Sequence, residues 1–229
     1  MKRRISAFRT IRHGMKTLIA VVMICGLILP FGSVSISAQE VSGDVVGQGT
    51  LNTEGDQDTC VFPKTTFGEH NDSSVSESTM IIEVTHDCQL VVTDVNKMPS
   101  GMTTFGTWHE DAAWTEHHDC CGIVMTESFA YMQYTDDGSS VYGGGSPDLA
   151  CKLFLDGWVF ESEAWDMNPN GPGSVSIWND CTFDFYDGSF YHTLDATFYG
   201  WPGGAWDHYC DIYGSIVAGG HLECGGNWN

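Results

Sequence analysis

Three Asp-Gly pairs constrain this chain more than any other feature: Asp137-Gly138, Asp156-Gly157 and Asp187-Gly188. Asp-Gly suits a two-residue type I′ turn, whose central positions both need positive φ, and such turns join antiparallel strands. Each pair therefore predicts a hairpin with a defined register. Around Asp187-Gly188, Phe185 would face Phe190, Phe183 would face His192, and Cys181 would share their face with Leu194. Asp184, Tyr186, Tyr191, Thr193 and Asp195 fall on the other face. Two strands that alternate in phase across a turn specify one register, because a one-residue slip would invert every side chain. The same rule sets Leu155 against Trp158, Leu153 against Phe160 and Lys152 against Glu161 around Asp156-Gly157. Around Asp137-Gly138 it sets Tyr134 against Val141 after two polar pairs.

Further strand-like runs, rich in β-branched and aromatic residues, cover 80–86, 88–95, 123–134, 174–178 and 209–218. Only one segment reads as helical. Thr107-Trp-His-Glu110 has capping-box spacing, Ala112-Ala113 follow, and His117-His118 would sit at the negative end before Gly122. The expected fold is all-β: a disulfide-stabilised antiparallel β-sandwich, Ig-like or jelly-roll-like, with at most one short helix. Residues 39–59 are polar, acidic and Gly-rich and read as a flexible lead-in, leaving 60–229 as a single sandwich domain. His86-Asp-Cys88 and His118-Asp-Cys120 echo each other without matching flanks, so they read as similar strand entries rather than as a duplication.

The first 38 residues hold six basic residues within positions 1–16, an apolar run from Thr17 to Leu29, and small residues ending at Ala38. This is the pattern of a secretory signal, cleaved near Ala38-Gln39. A membrane anchor is the competing reading, but it needs about 20 apolar residues. Export gives the cysteines their meaning. Beyond Cys25 there are eight, Cys60, Cys88, Cys120, Cys121, Cys151, Cys181, Cys210 and Cys224, with no C-x-x-C pair among them. An even count in an exported chain predicts disulfides, up to four here, and extended Cys120 and Cys121 would each need a distant partner. Asn71-Asp72-Ser73 is a glycosylation sequon.

Charge decides which partners are excluded. After residue 38 the chain has three lysines and no arginine against 30 Asp and Glu, hence −27. It has no basic footprint for nucleic acid, and no phosphate clamp. Once a signal is removed, no stable membrane span remains. The partners this surface admits are an extracellular glycan, a protein, or cations.

The sequence offers three candidate sites. Asp166, Asn168 and Asn170 begin a D-x-N-x-N-G pattern that could take Ca2+, the one cofactor implied, with Glu161 or Glu163 completing the shell. Position twelve, where a bidentate Glu belongs, is Ile177, and a polar turn is the plainer reading. Glu161-Ser-Glu163-Ala-Trp-Asp166 is similar in spacing to the E-x-D-x-x-E strand of jelly-roll retaining glycosidases, with the acidic types exchanged at the second and third positions. That resemblance implies a carboxylate pair, Glu161 and Glu163, able to hydrolyse a glycoside. Trp201 and Trp206 flank a Gly-rich loop and form the candidate exposed platform for a sugar, whose apolar face stacks on aromatic rings. His109, Glu110, His117, His118 and Asp119 could ligate zinc or copper but lack H-E-x-x-H spacing, so solvated histidines are the simpler reading. His192 reads as a hydrogen-bonded core residue. The composition favours a secreted, acidic, non-catalytic domain for extracellular binding or matrix structure; the alternative is a secreted glycoside hydrolase.

Overall fold

The computed structural model describes residues 44–53, 58–100, 107–169, 173–185 and 191–228. The signal segment, Asn170 and the Asp187-Gly188 turn lie outside them. No helix is present among the described residues, and none there could cross a membrane. The fourteen strands form two antiparallel sheets. Sheet A contains β1 (Asp44–Gln48), β4 (Val75–Val84), β5 (Gln89–Pro99), β6 (Thr107–His118), β7 (Val124–Asp136), β8 (Val141–Gly143), β9 (Asp148–Leu153) and β14 (His221–Asn227). Their order is β1-β5-β4-β14-β6-β7-β8, with β9 also paired to β7. Sheet B contains β2 (Thr50–Asn52), β3 (Thr59–Asn71), β10 (Trp158–Asn168), β11 (Val175–Phe185), β12 (Tyr191–Gly200) and β13 (Trp206–Val217). Its order is β10-β11-β12-β13-β3-β2.

Strand alternation builds the sandwich. Val175, Ile177, Cys181 and Phe183 of β11, and Leu194, Ala196 and Phe198 of β12, face inward and are fully buried. They pack on sheet A, where β6 and β7 lie against β12 and β11. The expected β-sandwich is therefore present. The Asp187-Gly188 register holds on both sides of that turn, with Phe183 paired to His192 and Cys181 to Leu194.

The other two Asp-Gly pairs depart from their predicted hairpins. At Asp137 the connection is longer. The amide of Asp137 donates to Ser140 O, Asp136 pairs Val141, and Tyr134 faces Gly143 rather than Val141. The Asp137 carboxylate accepts from the amides of Ser139 and Ser140 and so stabilises a four-residue turn. Asp156-Gly157 does turn the chain, with Gly157 at φ 102°, but it joins different sheets. β9 pairs β7 in sheet A, and β10 pairs β11 in sheet B. Lys152 accordingly meets Glu127 at 2.7 Å, not Glu161. The apolar pairing holds only next to the turn, where Trp158 is buried and Leu155 packs on the core, whereas Leu153 and Phe160 are exposed.

The proposed helix is strand β6. His109, Asp111, Ala113, Thr115 and His117 are buried, whereas Trp108 and Glu110 are exposed. This is a period of two, and ladders to β14 and β7 satisfy both backbone edges. Such pairing outweighs a capping signal worth about 1 kcal/mol. The acidic lead-in is likewise partly strand: β1 pairs β5 and β2 pairs β3.

Three disulfides form: Cys60–Cys88, Cys151–Cys181 and Cys210–Cys224. Each joins sheet A, or its β4–β5 turn, to sheet B. They fit an oxidising compartment. Cys120 and Cys121 remain free and exposed, contrary to the fourth-bridge expectation. They sit in a turn rather than an extended strand, anchored by the Asp119 carboxylate on the amides of Cys121 and Ile123, and their Sγ atoms approach to 3.8 Å.

Candidate functional site

The outer face of sheet B gathers what the sequence had scattered. Alternation turns Asp180 of β11, Asp195 of β12 and Asp211 of β13 outward, and the registers Asp180–Asp195 and Asp195–Asp211 place them side by side. Directly opposed residues have Cβ atoms about 4.5–5.5 Å apart. The next row is Trp178, Thr197, Tyr209 and Gly68, and the one after it Ser176, Tyr199, Asp207 and His70. Gly68 is needed there, since a Cβ would lie 2.3 Å from Tyr209 Cδ1.

Two clefts run over these rows and share Asp211. One, of about 380 Å³, is lined by Thr66, Thr197, Tyr199, Trp201, Tyr209 and Asp211. The other, of about 170 Å³, includes Lys64, Asp180, Thr193, Asp195 and Tyr213. Tyr199 and Trp201 stack with ring centres 5.7 Å apart and planes 24° from parallel, and Tyr209 meets Tyr199 edge-on at 5.8 Å. The Tyr209 hydroxyl donates to Asp207 Oδ2 at 2.8 Å, and Asp207 Oδ1 contacts His70 Nδ1. That hydrogen bond, added to burial, pushes the Tyr209 phenol up to about 12.

The aspartates are electrostatically unequal. Asp211 is ion-paired with Lys64 at 2.6 Å, which raises the lysine pKa. Asp195 is pushed up to about 6 by burial and by its neighbours Asp211 and Asp180, although Thr197 Oγ1 donates to it at 2.7 Å. Burial also raises Asp180, with Asp211 adding to the effect against the opposing pull of Lys64. Burial and adjoining carboxylates thus raise Asp195 and Asp180, and one lysine pairs with the end member of the row.

The sequence-derived candidates map unevenly onto this face. Trp201 lines the larger cleft. Trp206 does not: it is fully buried, donates Nε1–H to Val75 O at 2.9 Å, and packs on Phe198. Its indole completes the core, so the two-ring platform expected at 201–206 is instead Tyr199 with Trp201. Asp166 and Asn168 are exposed on edge strand β10, opposite Trp178 and Ser176, and so share the outer face. They stand in extended backbone rather than in a wrapped loop. Glu161 and Glu163 are exposed, but a bulge between Phe160 and Ser162 breaks the even spacing that made them a pair, and Glu163 lies opposite Cys181. Asn71 is 2% exposed at the end of β3, so its amide is not presented to a glycan.

The histidines also separate. His192 is a core residue as expected, with Nε2 2.8 Å from Thr126 Oγ1 and Nδ1 3.3 Å from Ser215 O. His117 is buried beside it, whereas His118 faces outward from sheet A. The aspartate row was beyond sequence reasoning because its members are 15 and 16 residues apart and meet only through strand pairing. The one usable signal was the polar face already assigned to Asp184, Tyr191, Thr193 and Asp195.

Comparison of the chain with known protein families, with curated proteins and with solved structures finds no match.

Proposed function

We propose that this chain is a secreted, non-catalytic β-sandwich module that binds a neutral saccharide across the outer face of sheet B. The observation that carries the reading is the convergence of the Tyr199–Trp201 stack, Tyr209 and Asp211 in one groove. Aromatic rings offer apolar faces for pyranose C–H groups, and carboxylates accept hydrogen bonds from hydroxyls. The acid surplus disfavours uronates, sulfated sugars and phosphates, because Lys64 is the one cation at the groove among the described residues. Three disulfides agree with export.

The test is calorimetric titration with neutral oligosaccharides. Trp201→Ala should weaken binding about tenfold, the loss of one ring contact of about 1.4 kcal/mol. Absence of binding by any neutral sugar, or undiminished binding by the variant, would overturn the proposal.

One observation favours a second reading, hydrolysis at the same groove. Asp195 is buried and proton-retaining and stands beside Asp211, which is ion-paired to Lys64, and two neighbouring carboxylates in unlike environments suit an acid and a base. This pair would replace Glu161 and Glu163. Reducing-sugar release that Asp195→Asn abolishes without loss of binding would favour it; binding without turnover would leave the module reading.

A further inference from the structure

The outer face of sheet A carries a different constellation. On adjacent strands β6 and β14, Glu116 is paired in register with Glu223 and His118 with His221. All four residues sit two apart along their strands, so alternation aims them to one side of the sheet. The result is a square of two imidazoles and two carboxylates.

Its dimensions match a metal shell. His118 Nε2 lies 3.0 Å from Glu116 Oε2 and 3.8 Å from Glu223 Oε1, and His221 Nε2 lies 3.6 Å from the same Glu223 oxygen. One donor atom each from His118, His221 and Glu223 falls within 4.8 Å of the other two. A tetrahedral ion with bonds of about 2.0–2.2 Å holds its donors about 3.3–3.6 Å apart. Small side-chain movements bring the square to that geometry.

The hydrogen bonding gives an independent reason. His118 Nδ1 faces Gly122 O at 3.4 Å, and its Nε2 faces Glu116. Both ring nitrogens thus point at oxygen acceptors, whereas a neutral imidazole has one N–H. The Gly122 carbonyl suits a proton on Nδ1 and leaves the Nε2 lone pair directed at the two carboxylates, the orientation a ligating histidine takes. The imidazoles of His118 and His221 stack at 4.2 Å, which holds both rings together beside the carboxylates. The three lysines among the described residues are ion-paired to other carboxylates, Lys64 to Asp211, Lys97 to Glu69 and Lys152 to Glu127, the last directly opposite Glu116 on β7.

We infer that Glu116, His118, His221 and Glu223 form a binding site for a divalent cation of the zinc class. Imidazole nitrogen selects Zn2+ or Cu2+ over Ca2+ or Mg2+, so the site is distinct in chemistry from the calcium pattern at 166–170. Beside it opens a cleft of about 630 Å³ lined in part by Glu83, His86, Asp119, Cys120 and His221, through which an ion or a metal-bound ligand can enter. The inference does not rest on saccharide binding at sheet B.

The test is calorimetric titration of the oxidised, chelator-treated protein with Zn2+, together with visible spectroscopy of the Co2+ adduct. One Zn2+ should bind per chain, and His221→Ala and Glu223→Gln should each weaken binding at least tenfold. A Cys120→Ser/Cys121→Ser variant should bind as the parent does, and Co2+ should give tetrahedral d–d bands without thiolate charge transfer. His221 and Glu223 are both partly exposed, so each variant should fold, and circular dichroism checks that it does. Absence of Zn2+ binding, binding undiminished in both folded variants, or a thiolate charge-transfer band would overturn the assignment.

Discussion

The two halves of the core are built differently. One contains all three disulfides, with Phe62, Ile82, Leu90, Ile212 and Leu222 packed around them. The other has no cystine and is filled by Trp206, Trp228, Tyr134 and Phe198, with smaller residues between. The candidate sites divide only in part along the same line, since the groove's Tyr209 and Asp211 flank Cys210 of the bridged half. His221 and Glu223 alternate with Leu222 and Cys224 of the bridged half, whereas Tyr199 follows Phe198 of the aromatic half. In the metal square β14 is covalently fixed through Cys224 while β6 is held by strand pairing, and the groove joins the packed Tyr199 end of β12 to β13, which Cys210 anchors. The same β-sandwich can position a site by cross-linking or by ring packing, and the two respond to different insults.

The strongest way to break this comparison is reduction. Each bridge contributes about 2–4 kcal/mol, so three together are comparable to a whole domain's stability of about 5–15 kcal/mol. Full reduction should unfold the domain at 37 °C in a circular-dichroism melt. Selective reduction of Cys210–Cys224 should weaken both Zn2+ and saccharide binding, since Cys224 adjoins Glu223 and Cys210 lies between Tyr209 and Asp211. An unchanged melt after reduction would refute the covalent account.

Next in size is the aromatic half. Trp206→Ala should cost about 3–5 kcal/mol, read from denaturant midpoints, because it leaves a large cavity and an unmatched Val75 carbonyl. It should weaken saccharide binding more than Zn2+ binding.

Acidification strikes both halves. Burial lowers His192 to about 3 and His208 to about 4, and it lowers His117 well below its ordinary range, with His192 and His118 adding to the effect. In the unfolded chain each titrates near 6.5, so below that pH the unfolded state takes up protons the fold refuses. Stability should fall from pH 7 to pH 5 by about 2 kcal/mol each for His192 and His208, with His117 acting in the same direction. Asp195 acts oppositely. Its folded carboxyl, raised to about 6, gives stability that is full below about 4 and lost as pH rises through 6, an offset of about 1 kcal/mol at pH 5. Urea midpoints that rise on acidification would contradict the sum.

The smallest effect concerns surface charge. At −27 beyond residue 38, self-repulsion should be screened by salt, and molar NaCl should raise the melting temperature by about 2–4 °C, equivalent to 1 kcal/mol. A flat response would mean that the acids are already locally compensated.

Much of the fold was legible because β structure repeats every two residues. The Phe183–His192 register followed from alternation on both sides of one turn, and the runs at 80–86, 88–95 and 123–134 correspond to β4, β5 and β7. Alternation does not say which sheet a strand joins, and that is where Asp156-Gly157 misled: β9 pairs β7 in one sheet and β10 pairs β11 in the other, with Leu153 and Phe160 left exposed. Local capping chemistry misled at Thr107–His118, where pairing on two edges dominates. Of the groove, Trp201 was legible as an aromatic beside glycines. Trp206 looked equivalent, because a sequence cannot distinguish a ring that closes a core from one that opens onto solvent.

By itself the sequence determined an all-β class, an excess of acid beyond residue 38, and a cysteine set suited to export. These depend on residue type and short-range period. The tertiary structure decided which cysteines meet, which aspartates form a row, and which histidines stand beside glutamates. All of these are matters of strand order, which depends on how separate amphipathic strands share one core, and no local pattern encodes it.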